Sequence, residues 1–262
     1  MSQPILNRAL PHDPFPRPRL PGVAPLDPAD WLAVTDAHAG QMAERERLIA
    51  QARDAVIWQA PGTAAMLDEL LDTVIAALPD GYVVGDGIAV RPDGVRVTLD
   101  RTDPLATLGR LVQEDLCLLV KPDGAAEHVL KAAVLCFPAG WRLAEKADRP
   151  LTAIHVPVPS YDDGIAARVQ RLFDGVRDGR PLWRSNLLWY DDPALFQARR
   201  EGAPRPADKD TRSGAYLRTE RQAILRLPRS GAVVFSIHTC VMARDVALAL
   251  RDRNAGALVN EG

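Results

Sequence analysis

Two long strand-like runs, Tyr216 to Leu227 and Ala232 to Val241, are joined by the tight turn Pro228-Arg229-Ser230-Gly231, and this hairpin constrains the fold most. Strands of that length cannot stand alone. Their backbone groups need partners on both edges, and their apolar face needs a covering layer. Leu182 to Tyr190 supplies a third strand and makes an antiparallel meander. Upstream, Leu116 to Val120, closed by Lys121-Pro122-Asp123-Gly124, and Val129 to Phe137 read as a second hairpin. Val95, Val97 and Leu99 alternate with Arg96 and Thr98 as a half-buried strand after the Pro92-Asp93-Gly94 turn.

Helical spacing brackets these strands. Asp27-Pro28 is a helix-start signal leading to Trp31, and Gln41 to Val56 places Met42, Leu48, Ile49, Ala52 and Val56 on one face. After Pro61, the residues Met66, Leu67, Leu70, Leu71, Val74, Ile75 and Leu78 form a second apolar stripe, ended by Pro79-Asp80-Gly81. Thr102 or Asp103 can cap a short helix through Leu108 and Val112. Trp141 to Lys146 reads as a short turn or helix, Ile165 to Val176 as an amphipathic helix, and Val246 to Leu250 as a closing helix. Helices, then strands, then a helix and a meander indicate an α+β fold rather than a doubly wound sheet. The one dinucleotide-like string, Gly85-Asp86-Gly87, lacks a third glycine and precedes no helix.

Domain organisation follows from the same pass. Residues 1–26, rich in Pro and Arg and without a period, are expected to form an extended arm, free to wrap a neighbour in a homo-oligomer. Residues 27–252 are expected to form a single α+β domain and 253–262 a tail. Asp191 to Gly214 is polar and long for a compact domain, which suits a functional flap or a mobile segment.

Charge and composition exclude several classes. The net charge is −2, from 32 basic and 34 acidic residues mixed along the chain, so there is no general attraction for nucleic acid. No run approaches the ~18 apolar residues of a membrane span, and the N-terminus has no signal-peptide core, which points to the cytoplasm. Cys117, Cys136 and Cys240 are far apart, with no CxxC or CxxCH. They offer no zinc ribbon, disulfide framework or covalent haem attachment. No GxSxG, HExxH, Walker or kinase motif is present.

Among five histidines, His12 in the arm, His38 near a helix start and His128 at a strand end have ordinary surface or capping uses. His238 shares a strand face with Ser236 and Cys240, a face that either meets solvent or lines a pocket. His155 differs. It sits in Ile154-His155-Val156-Pro157-Val158-Pro159, expected to be extended because the prolines hold the chain out of the helical region. A ring pre-placed in an apolar wall suits an axial ligand to porphyrin iron, and equally a structural histidine in a hydrogen bond. On the penultimate strand, Arg218, Glu220 and Gln222 share one face and Arg221 takes the other. Arginines there either bind carboxylates bidentately or form cross-strand ion pairs at an exposed end. Trp141-Arg142 and Trp183-Arg184 set a cation beside a ring, as a pocket rim or an edge cover.

Several blocks in order carry a resemblance. Gln113-Glu114-Asp115-Leu116-Cys117-Leu118-Leu119, Cys136-Phe137-Pro138-Ala139-Gly140-Trp141 with Glu145-Lys146, Ile154-His155-Val156-Pro157-Val158-Pro159, Trp183-Arg184-Ser185-Asn186 and Leu217-Arg218-Thr219-Glu220-Arg221-Gln222 resemble successive blocks of the haem-dependent oxidative N-demethylase family, over about Asp27 to Val241. The resemblance implies a PAS-like antiparallel sheet binding haem b, flanked by helices. It implies oxidation of a small methylated amine by dioxygen, release of formaldehyde, and electrons from a separate flavin and iron-sulfur reductase, for which this chain has no motif. A non-catalytic PAS-type haem or small-ligand sensor is the alternative. With the physical reading beside it, the resemblance points to His155 as the iron ligand, with Cys136 as rival. Arg142, Arg184, Arg218 and Arg221 become candidates for the propionates, and Glu220 or Glu114 for binding the amine or relaying protons. Leu187, where an aromatic is expected, and Cys240 depart from the pattern.

Overall fold

The computed structural model describes residues 3–15, 22–155, 163–203 and 213–260, with the helix ends at 155, 163 and 255–260 described by backbone alone. In chain order the elements are β1 (Ala24–Pro25), a 3-10 turn (Pro28–Asp30), α1 (His38–Gln51), α2 (Arg53–Val56), β2 (Ile57–Gln59), α3 (Ala64–Ala76), β3 (Val83–Gly85), β4 (Ile88–Val90), β5 (Arg96–Thr98) and α4 (Pro104–Leu111). Then come β6 (Asp115–Val120), β7 (Val129–Val134), α5 (Leu143–Lys146), α6 (Leu151–His155), α7 (Asp163–Gly175), β8 (Leu182–Tyr190), β9 (Tyr216–Arg226), β10 (Val233–Ala243) and α8 (Arg244–Asn260).

Both expected hairpins form. β9 pairs with β10 from Arg226↔Val233 to Tyr216↔Ala243, and β6 pairs with β7 across a bulge between Leu118 and Leu119. The two are joined by β10 against β6, Phe235 facing Cys117, in a wholly antiparallel sheet of order β1-β8-β9-β10-β6-β7-β2. The first long strand therefore lies against the last at the centre. The α5 to α7 connection leaves from β7 and returns at β8 on the far side.

Period two divides the sheet into two faces with different cores. Leu116, Leu118, Val134, Leu225 and Val234 pack under the stripes of α1, α3 and α4, where Leu48, Leu67, Leu70, Leu71, Leu108 and Leu111 are buried. Asp103 caps α4 by accepting from the Ala106 amide, and Pro104 opens it. On α4, Gly109 lies so close to Ile49 and Val134 that a Cβ would meet both at 2.7 Å. Buried Arg45 of α1 binds this layer to the sheet end, donating to Asp115 Oδ1 at 2.7 Å and to the carbonyls of Gly109, Gln113 and Glu114. The opposite face presents Cys117, Leu119, Leu130, Ile224 and Ile237 toward α5, α6 and α7.

Several expectations need correction. The 41–56 helix breaks at Ala52, where φ is −139°, into α1 and α2. Gly85-Asp86-Gly87 belongs to a β3–β4 hairpin whose two loop residues, Asp86 and Gly87, both take positive φ, as a type I′ turn requires. Ile154 and His155 are helical rather than extended. Pro157 restrains only the residue before it, and Pro150 leads into α6. Residues 156–162, with the two prolines, lie outside the described residues. The arm also does more than extend. Ala24 pairs with Trp183 at the sheet edge, and the Asn7 amide donates to the Val241 carbonyl at 2.7 Å. His128 is buried rather than at a surface, its Nδ1 2.9 Å from Gln170 Nε2 of α7.

Candidate functional site

The sheet face beneath α5, α6 and α7 is not packed solid. A cavity of about 860 Å³ lies there. That is within the size range of pockets that enclose a cofactor or drug-sized ligand, about 300–1,000 Å³. Its floor is sheet: Cys117 and Leu119 of β6, Leu130 of β7, Ile224 of β9, Phe235 and Ile237 of β10. Its roof is helical: Leu151 and Ile154 of α6, and Ile165, Val169, Leu172 and Phe173 of α7. The wall is mostly apolar because strand alternation turns these side chains to one face and the amphipathic α7 turns its stripe down onto them.

Polar groups enter at two places. On the floor, Arg184 and Asn186 of β8 stand beside Glu220 and Gln222 of β9. Glu220 Oε2 accepts from Asn186 Nδ2 at 2.9 Å and from Gln222 Nε2 at 3.0 Å, with Arg218 Nε 3.8 Å from its other oxygen. Burial lowers the Arg184 pKa from its ordinary value, and Glu220 opposes that. The second place is where α5 meets the segment after β8. Glu145, Lys146, Arg199, Arg200 and Glu201 line the cavity there, and the Glu201 amide donates to Glu145 Oε2 at 2.9 Å. Residues 199–203 of the long segment after Asp191 are thus a cavity wall. Residues 204–212 lie outside the described residues.

The structure distributes the candidates from sequence unevenly. Glu220 and Arg184 line the cavity. His155 ends α6 one residue after cavity-lining Ile154, and its side chain lies outside the described residues. Arg218 is spent on structure: it donates to the carbonyls of Phe137 and Leu195 and ties the segment after β8 to the sheet. Arg142 is half-buried at the start of α5 and does not border the cavity. Cys136 is also absent from the wall, its amide bonded to Asp115, and burial pushes its thiol up to about 12. Cys117 does border the cavity, and burial raises its thiol too, so it is not a ready thiolate.

Glu114 and Arg221 point to the other face. Glu114 Oε1 lies 2.9 Å from His238 Nδ1, both groups fully buried. Arg221 lies over the Trp183 ring and donates to the Asp30 carbonyl. Burial alone would discharge His238, but Cys240 and Glu114 outweigh it and push the ring up to about 10. The arm closes this cluster: His12 meets Thr219 Oγ1 at 3.1 Å, and burial, then the charge of His238 and Arg221, push it down to about 4. Leu187, the departure from the resembled pattern, packs with Leu217 and Met242 under arm residues Leu10 and Phe15 as well as bordering the cavity.

Sequence reasoning missed Lys146, Glu145 and Glu201 as site residues. Glu145-Lys146 entered it only within a resembled block, and the rim reading rested on Trp141-Arg142 and Trp183-Arg184. Tested against a porphyrin, the cavity fits. It is large enough, its body is apolar, and cations stand at its margins for carboxylates. All three cysteines are free and buried, and no helix of the described residues is long and apolar enough to cross a membrane.

A family model described as haem-dependent oxidative N-demethylase, alpha subunit-like, matches residues 22–253, a stretch that takes in the whole sheet, the cavity and its roof. The chain belongs to the haem-dependent oxidative N-demethylase, alpha subunit-like family.

Proposed function

We propose that this chain is the catalytic haem subunit of an oxidative N-demethylase, acting in the cytoplasm on a small methylated amine. Dioxygen is the oxidant, a separate flavin and iron-sulfur reductase supplies electrons, and formaldehyde leaves. The core, with residues 27–252 as one domain, is read as PAS-like. Two features support that: the first and last long strands pair at the sheet centre, and a helical crossover roofs one face.

The observation that carries the reading is the cavity with a carboxylate in its floor. Haem b, when bound, supplies the iron that activates dioxygen. The chain's residues do the rest. Apolar side chains from α6, α7, β6 and β10 line the cavity, exclude water and would hold the apolar body of the porphyrin. Glu220 accepts a hydrogen bond from a protonated amine and orients its methyl group, while Asn186 and Gln222 hold the carboxylate in place. Arg184, a guanidinium at the cavity floor, pairs with a ligand carboxylate on that side. His155, at the end of α6, is assigned as the iron ligand.

Purified protein should be coloured, with a Soret band that shifts when the reduced form meets carbon monoxide. With a flavin and iron-sulfur reductase it should release formaldehyde from dimethylamine. Colourless protein that takes up no added hemin would overturn the haem assignment. Haem uptake without formaldehyde from any methylated amine would leave a sensor. A His155→Ala variant with full haem content and an unchanged spectrum would remove the ligand assignment.

A further inference from the structure

We propose that Lys146 anchors a ligand carboxylate inside the cavity, receiving one propionate of the porphyrin, an inference that rests on the haem reading above. Lys146 ends α5 and its side chain is only 4% exposed, yet its Nζ has no hydrogen-bond partner among the described residues. An ammonium carries three donors, and burying it unsatisfied is costly. The other buried cations of the described residues all have acceptors: Arg45, Arg91, Arg218 and Arg221 each donate to a carbonyl, and the first two also to carboxylates. Lys146 is the exception, and it stands in the cavity wall.

The carboxylate that Lys146 pairs with among the described residues is a weak placeholder. Glu201 Oε2 is 3.5 Å from Nζ, longer than the 2.7–2.9 Å of a good charge-assisted bond. The same oxygen is 3.6 Å from Arg149 Nη1, and Glu201 is about a third exposed. An incoming carboxylate can therefore displace it at little cost, since Arg149 and water still hold Glu201. Arg199 and Arg200 border the same part of the cavity, so its cations, with Lys146, outnumber the carboxylates Glu145 and Glu201 and its local potential favours an anion. The floor cluster differs, because Arg184 faces Glu220 there and the two charges balance. The ligand these features fit has a broad apolar body with a carboxylate at the α5 end.

The test titrates apoprotein with hemin and with hemin dimethyl ester, whose two carboxylates are blocked, and follows the Soret change. Wild type should bind hemin at least about tenfold more tightly than the diester, the value of one charge-assisted bond. Lys146→Met keeps the apolar stem and should lose most of that preference, weakening hemin alone. Lys146→Arg should restore it. Glu201→Gln, which removes the placeholder on an exposed segment, should strengthen hemin binding and leave the diester unchanged. Equal weakening of both porphyrins in Lys146→Met, or no weakening, would overturn the assignment, as would an unchanged hemin affinity in Glu201→Gln. If wild type bound neither porphyrin, the haem reading itself would fall. If it bound both equally, only the carboxylate anchor would.

Discussion

Replacing Arg45 by Met should cost about 3–5 kcal/mol of folding stability, the range for breaking a buried ion pair by removing one partner. The side chain is fully buried and its Asp115 partner nearly so. The substitution deletes four hydrogen bonds, one to Asp115 Oδ1 at 2.7 Å and three to carbonyls at 2.9, 3.1 and 2.9 Å. Charge-assisted bonds contribute roughly 1.5–3 kcal/mol each, so a simple sum would overshoot. Two effects reduce it: Asp115 keeps the amides of Cys136 and Phe137, and the Met chain fills part of the space. Against a total of about 5–15 kcal/mol, the loss is large. Urea unfolding followed by tryptophan fluorescence should show a midpoint lower by roughly 1–5 M at a slope of order 1–3 kcal/mol/M. An Arg45→Met, Asp115→Leu double variant should be less destabilised than the two single changes added together, because it leaves no charge unpaired. A shift below about 1 kcal/mol in Arg45→Met, or a double variant worse than the sum, would refute this account of the sheet end. The consequence reaches the site, since Phe137 borders the cavity and Arg218 holds its carbonyl.

Other expectations are simpler to test. His12 is neutral in the fold with a pKa near 4 against 6.5 unfolded, so the stability it contributes is present above 6.5 and lost as pH falls toward 4, by at most roughly 3 kcal/mol. His238, raised to about 10, acts oppositely: its contribution is full below 6.5 and fades as pH rises through 10. Amide protection factors of residues 3–15 should therefore fall in mild acid, and much less so in a His12→Gln variant. Unchanged protection at pH 4.5 would count against this docking. Glu220→Gln should weaken binding of a protonated amine by about tenfold or more while haem content stays constant, measured as an amine-induced Soret shift. Equal amine affinity in the variant would remove Glu220 from that role. Gly109→Ala should cost about 1–3 kcal/mol by pushing α4 off Ile49 and Val134, read as a lower melting temperature, and a neutral result would show that the helix layer can shift.

Much of the frame was legible before any coordinates. Turn residues and period two are local signals, so Pro228-Arg229-Ser230-Gly231 and Lys121-Pro122-Asp123-Gly124 announced their hairpins, and alternation put Glu220 on the opposite face from Arg221. The stripes of α3 and α7 were equally visible, because helix amphipathicity is written within a few turns. Local pattern could not say which helices cover which face. That depends on β10 lying down against β6, a pairing between residues more than a hundred positions apart. Once that contact forms, Glu220 faces a cavity and Arg221 a sealed cluster, although the two are chain neighbours. The same distance in sequence hid His12, whose ring is buried only because the arm crosses β9, and Lys146, unremarkable on a short helix until the segment after β8 closes over it. Alternation along a strand reports that its two sides differ. Burial, and with it the cost or use of a charge, is set by whatever the folded chain brings to each side.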